Sequence, residues 1–483
     1  MLAISFFGLW VVSYNCYSAE QQKQEQPVVK EAEQPIVVAK ISDYIINKKE
    51  LEQRVKNEIF PYGYDQSNEQ AGIIDVSETL LEMIAEKAMI MEGRKLGYLQ
   101  DEEISASIDR FKNGRLAGMV WMQYAKSRED ELNITQEEID NQIKANPKLK
   151  PTQANKLLQN QKANKLIEKY YGQLCEKFHW KKQSENFSKV VQVHDRLLNQ
   201  SKNRKQWWIL NDQVKDEVTP EEKDIVLATY DGGKITLKDW LYALVQFSPP
   251  NRPKDLNTEK GVEAFLDRIS KAPVLVAEAK SLGLDKDKDY LKQLRDREDM
   301  NLLGKVMTEK VKDVNEPTEE QIVQYFEKNE EKFGTPKTLK IDQIWCENLE
   351  IANKVKSELD GGKDFDAVKS EYSLQKQSKP FNCYPGSEGI FFADLWKGEP
   401  NQIVGPTKGF YGEGIKWRIV KILEKKPAEI KEYSANMKDG VKGKMMSEQK
   451  EAILADYRKE LLKNYSYEVY ADKIRDIDPL KVQ

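Results

Sequence analysis

Apolar and polar positions alternate along "IKWRIVKI" at 415–422, with Ile415, Trp417, Ile419 and Lys421 on one face and Lys416, Arg418, Val420 and Ile422 on the other. That two-residue period predicts a β-strand running from exposed to buried, with an arginine in its middle. Much of the chain instead carries amphipathic stripes at helical spacing, so the predicted class is multidomain and mainly α. Helix ends are marked as well. Thr135 and Thr318 each precede a Glu-rich first turn and an apolar stripe, the pattern of an N-cap followed by dipole-favoured acids. Leu96-Gly97 and Leu282-Gly283 each read as the end of a long helix, glycine supplying a left-handed turn.

These marks recur because whole segments recur. "MIMEGRKLGYLQDEEI" at 89–104 matches "LVAEAKSLGLDKDKDY" at 275–290, with Glu92 against Glu278. "NITQEEIDNQIKANP" at 133–147 matches "EPTEEQIVQYFEKNE" at 316–330, and "DYIINKKEL" at 43–51 matches "GGKITLKDW" at 232–240. "YYGQLCEKFHWKKQSENF" at 170–187 matches "YRKELLKNYSYEVYADKI" at 457–474. Four matches in one order predict a duplicated helical module. Thr135 to Tyr170 spans about 35 residues and Thr318 to Tyr457 about 139, so roughly 104 residues are inserted in the second copy. The guest, 335–427, opens with the strand "KTLKIDQIWCE", continues through two helices around a glycine turn, and closes on strands, a small α+β domain. The expected map is a signal sequence at 1–19, a disordered tether at 20–35 and a first helical module at 36–190. A linker at 191–225, a second module at 226–334, the guest at 335–427 and a C-terminal helix at 428–483 that completes the second module follow.

Composition narrows the function classes. With 76 basic against 80 acidic residues and no basic block, phosphate-driven nucleic-acid binding has no footprint. The apolar run from Leu2 to about Val12, followed by an abruptly hydrophilic stretch, has the shape of a secretory signal. Cleavage after Ser18 or Ala19 fits it; retention as an anchor, giving membrane association, or lipid modification of Cys16 are the alternatives. Cys16, Cys175, Cys346 and Cys383 show no metal or redox spacing, and Cys346 and Cys383 are either a disulfide or two buried thiols. The two histidines, His179 and His194, have no ligand cluster around them, and "DGGK" at 231–234 and at 360–363 reads as a turn rather than a phosphate loop, so no metal or cofactor is expected. Trp207-Trp208, in a charged linker, either dock on a helical module or face a partner.

The guest carries a specific resemblance. "LDGGKDFDAVKSEYS", "LWKGEPNQIVGPTKG" and the closing "WRIVKILEKKPAE" resemble the parvulin (PpiC-type) family of peptidyl-prolyl cis-trans isomerases. The flanking helices, including "PTEEQIVQYFEKNEEKF", resemble exported foldases of the SurA and PrsA type, in which a helical chaperone module is interrupted by parvulin domains. The resemblance implies a site with histidines on the first and last strands and an Asp or Cys after the Tyr-Ser. Carried onto this chain those positions are Gln343, Arg418 and Gln375, all substituted. Phe391, Phe392 and Trp396 fall where proline-cradling residues are implied, with the domain core as the other use of such aromatics. Rotation about an X-Pro bond faces a barrier of about 18–20 kcal/mol, which a pocket lowers by binding the twisted bond better than the planar one. Gln343 can donate and accept and Arg418 can donate, which leaves room for weak catalysis. The expected function is an exported, periplasmic or envelope-associated folding factor that binds unfolded or newly exported, proline-containing polypeptides. The alternative is a catalytically inactive scaffold for a dedicated envelope partner.

Overall fold

Val38, Ala39 and Ile41 are fully buried in β1 (Val37–Ile41), which turns at Ser42 and pairs antiparallel with β2 (Tyr44–Asn47). The structure is a computed structural model that describes residues 35–59, 75–202 and 206–482. The apolar leading segment with Cys16 lies outside the described residues, as does nearly all of the expected tether at 20–35. After the hairpin come α1 (Lys48–Ile59) and α2 (Val76–Lys95), capped by Asp75, whose side chain accepts from the Ser77 N–H. Gly97 closes α2 at φ 74°, in the left-handed region that glycine reaches without a Cβ penalty.

Next are α3 (Glu102–Lys126), α4 (Gln136–Ala145), α5 (Pro151–Lys177), the short β3 (Lys181–Lys182) and α6 (Phe187–Asp195). Thr135 caps α4 in a reciprocal pair with Glu138, as its spacing predicts. A second hairpin, β4 (Val226–Tyr230) and β5 (Gly233–Thr236), leads into α7 (Leu237–Gln246) and α8 (Glu259–Ser281), and Gly283 follows at φ 71°. The chain continues through α9 (Lys288–Val311) and α10 (Glu319–Lys328), the latter capped by Thr318 with Gln321. The 335–427 stretch contains β6 (Thr338–Cys346), α11 (Leu349–Asp360), α12 (Phe365–Tyr372), β7 (Phe381–Cys383), α13 (Phe392–Trp396), β8 (Ile403–Tyr411) and β9 (Gly414–Lys426). The long α14 (Lys438–Asn464) and β10 (Tyr467–Val469) close the chain. The protein is thus mostly helical with three small sheets among the described residues.

The contacts group into two compact units, one holding Gln100–Asp299 and the other the described parts of Pro27–Leu99 and Met300–Gln483. Within the first, β3 joins the β4–β5 hairpin, and Val190, Leu227, Trp240 and Phe265 share a core. A second cluster there packs Leu116, Val120, Leu174 and Val274. Within the other unit, β10 joins β1 as the third strand of the β10-β1-β2 sheet, above a core of Ile46, Leu51, Ile84, Met89, Leu302 and Val306. The four-stranded sheet β7-β6-β9-β8 has a core on each face: Ile344, Val355, Phe365 and Ile419 on the side of α11 and α12, Leu339, Phe392, Leu395 and Val420 on the other.

His194 is buried on α6, its ring edge-on to Trp240 at 6.2 Å, and its Nδ1 has no partner. Burial lowers its pKa from the usual imidazole value, with nearby Arg252 adding and Asp195 opposing. Below about pH 6.5 the unfolded chain therefore binds a proton that the native site refuses. Stability should fall as pH drops from about 6.5 toward the depressed native pKa, by at most about 1.4 kcal/mol per pH unit from this group, and be insensitive to it above. Urea unfolding of the wild type and His194→Gln at pH 7.5 and 5.5 checks this: the variant should show the smaller loss. His179, by contrast, is exposed, with Nδ1 2.7 Å from Asp231 Oδ2.

Candidate active site in the 335–427 domain

The site positions lie where β6 and β9 run antiparallel, with Gln343 opposite Val420 and Trp345 opposite Arg418. Arg418 is only 1 % exposed. A buried guanidinium needs partners, and the adjacent strand and the helical turn Pro385–Glu388 supply one each. Its Nη1 donates to Gln343 Oε1 at 2.9 Å and its Nη2 to Glu388 Oε2 at 2.6 Å. The guanidinium carbon also lies 5.1 Å from the centroid of the Trp345 ring, within cation–π range. Gly409 on β8 makes room for it: a Cβ there would sit 2.4 Å from the guanidinium carbon. Only Nε is left buried without a partner.

Gln343 and Arg418 are thus brought together, and Gln375 is not. It sits exposed in the loop after α12, its N–H donating to Ser373 Oγ at 3.2 Å. Ser373 is buried and also accepts from the Trp345 N–H at 3.3 Å, tying that loop to β6. A second buried pair adjoins the first: Lys369 bonds Asp342 and donates to the Ser378 carbonyl at 2.6 Å. Cys383 is a free, buried thiol whose pKa is pushed up by burial and then by Glu388, with Arg418 opposing. It stands opposite Leu339 while Cys346 ends β6 seven residues on, roughly 23 Å away at ~3.3 Å per residue, too far for a disulfide. Both are buried thiols, and burial pushes Cys346 up to about 11.

The three aromatics divide. Phe392 belongs to the core beneath β9 and stacks with the half-buried Trp396, ring centroids 5.7 Å apart. Lys425 lies 4.9 Å over the Trp396 ring. Phe391 is 5 % exposed and meets Phe410 edge-on at 4.9 Å. Phe410 and Ile390 in turn pack against the β1–β2 and α1 core, so this corner of the domain is already covered by its own chain.

Chemically, both polar positions are occupied. Arginine keeps its proton under ordinary conditions and has no acceptor, so it cannot trade protons or accept a hydrogen bond as a histidine does. For Arg418 to reach a substrate carbonyl it would have to leave Glu388, stranding a buried carboxylate at a cost of about 3–5 kcal/mol. Glu388 and Trp345 are absent from the sequence reading because nothing local marks either as a partner of a strand residue 30 or 73 positions away. The one available signal was the arginine itself, which inside a two-faced strand demands an acid somewhere.

No protein-family model matches the chain. Among curated proteins it is similar to "Foldase protein PrsA" of Clostridium kluyveri, 26 % identical over 175 residues, covering 34 % of this chain and 49 % of the relative. It is also similar to "Parvulin-like PPIase" of Rickettsia bellii, 24 % identical over 231 residues, covering 44 % of this chain and 77 % of the relative. The chain spans about half the length of the PrsA relative it matches. Among solved structures, one of the SurA-like chaperones PEB4 and Cj1289 of Campylobacter jejuni aligns over 51 % of this chain and 100 % of its own, 16 % identical, TM-score 0.26. PrsA of Bacillus cereus aligns over 53 % and 97 %, 19 % identical, TM-score 0.22. In sequence, then, the chain is similar to PrsA foldases and to parvulin-like PPIases.

Proposed function

We propose that this chain is an exported folding factor that binds unfolded or newly exported polypeptides, its parvulin-like domain retaining weak isomerase activity at most. The observation that carries this reading is the buried Arg418–Gln343–Glu388 network, which fills the polar positions an isomerase would offer to a substrate. Gln343, Gln375 and Arg418 are then substituted remnants of a catalytic site, and Phe391, Phe392 and Trp396 serve packing in place of proline binding. The work falls to the helical modules, 36–190 and 226–334 with 428–483, around the inserted 335–427.

Duplication of the module is part of the proposal, and strand placement supports it. The matched segments 43–51 and 232–240 both run from the second strand of a hairpin into a helix. The matched segments 170–187 and 457–474 both run from a long helix into a short strand. Each short strand pairs with the hairpin of the opposite copy, β3 with β4 and β10 with β1. Export and any membrane association rest on residues 1–19; among the described residues no helix is long and apolar enough to cross a membrane.

Light scattering of a chemically unfolded, aggregation-prone client diluted into the full chain tests the reading. Equimolar protein should at least halve aggregation, and Arg418→Met paired with Glu388→Leu should leave that unchanged. The covered Ile390–Phe410 corner favours a second reading, a scaffold for one dedicated envelope partner. No suppression at tenfold excess, with one protein recovered tightly from envelope extracts, would favour the scaffold.

A further inference from the structure

The unit Gln100–Asp299 contains an open cleft of about 470 Å³ whose lining includes Tyr171, Cys175, Trp180, Lys182, Asp267 and Arg268. That volume is ordinary for a binding cleft. Its apolar share comes from Trp180, stacked with Tyr230 at 5.9 Å, and from the Tyr171 ring, whose hydroxyl is anchored to Ser270 Oγ at 2.5 Å. Most charges around it cancel. Lys182 pairs with Glu263 at 2.7 Å and Asp267 at 2.8 Å, and Lys271 pairs with Glu168.

Arg268 is different. Among the described residues it makes no hydrogen bond or ion pair, and its guanidinium carbon lies 4.2 Å from the Phe247 ring centroid. Partial burial without a carboxylate holds its pKa below the usual arginine value. An arginine stacked on a ring, with its donors unspent, is pre-organised for the two oxygens of a carboxylate. We propose that this cleft binds a polypeptide segment carrying an Asp or Glu side chain next to an aromatic or large aliphatic one. The carboxylate meets Arg268, and the apolar neighbour lies against Trp180 and Tyr171. This rests on the reading that the chain binds polypeptides, and adds where and which kind.

The test is fluorescence anisotropy with the full chain and two fluorescein-labelled, C-terminally amidated decapeptides, one with two Asp-Phe steps and one with Asn-Phe in their place. The acidic peptide should bind about tenfold more tightly, the scale of one charge-assisted pair. Arg268→Gln should erase that preference while leaving the Asn-Phe peptide unchanged, Arg268→Lys should keep part of it, and Trp180→Ala should weaken both peptides. Equal binding of the two peptides, no binding of either, or an undiminished preference in Arg268→Gln overturns the proposal. Client protection by the wild-type chain, with no preference between the two peptides, sinks this inference alone. Peptide preference without any client protection sinks the folding-factor reading and leaves the cleft.

Discussion

Arg418→Ala should destabilise the parvulin-like domain by about 3–5 kcal/mol. The substitution leaves the Glu388 carboxylate, whose side chain is 8 % exposed, with its cation gone and Gln343 Oε1 without its donor. It also opens a hole beside Trp345 and Gly409, which pack directly on the guanidinium. Replacing both charges by apolar groups should behave differently, because a buried pair repays little more than its own desolvation. Arg418→Met with Glu388→Leu should recover most of the loss. Hydrogen exchange of peptides covering 338–346 and 414–426 during mild urea titration reads both effects. A loss under 1 kcal/mol for Arg418→Ala would mean the pair is not the closed, dry contact described above.

Truncation after Asn464 should have an effect at least as large, in a different core. It removes β10, whose residues Tyr467, Glu468 and Val469 pair with Ile41, Lys40 and Ala39. It removes Ile474 from the core and strips Ile477 and Leu480 from its edge, together with the Lys48–Asp476 pair at 2.6 Å. At about 1.5–3 kcal/mol for each fully buried aliphatic side chain, less for the partly buried ones, the loss is on the order of 5 kcal/mol, comparable with the whole stability of many domains. The hairpin 37–47 and α1 should lose protection from hydrogen exchange. The β6–β9 pair, with separate cores on both its faces, should keep it. Retained protection in 37–47 would show that β10 is a passive edge.

Local chemistry was legible and long-range pairing was not. Thr135, Thr318, Gly97 and Gly283 act within a few residues of themselves, so a cap or a left-handed turn could be read from neighbours alone. The alternation at 415–422 gave the strand, read as running from exposed to buried; Arg418, Val420 and Ile422 are buried like Ile415 and Ile419, because helices cover one side and the 385–396 segment the other. The sequence placed Gln343 and Arg418 at one site through family resemblance, yet it could not supply Glu388, since an ion pair between a strand and a helical turn 30 residues upstream leaves no spacing. Nor could it place the third strand of either small sheet, β3 beside β4 and β10 beside β1.

The rate of cis-trans conversion of a panel of proline tetrapeptides in the presence of the full chain decides whether Arg418 is held out of reach of a substrate. With Arg418 held by Glu388 and Gln343, the rate should match the uncatalysed one within about twofold at micromolar protein. An acceleration of tenfold or more that is abolished by Arg418→Met with Glu388→Leu would make Arg418 a catalytic group and contradict its role as a buried partner of Glu388 and Gln343.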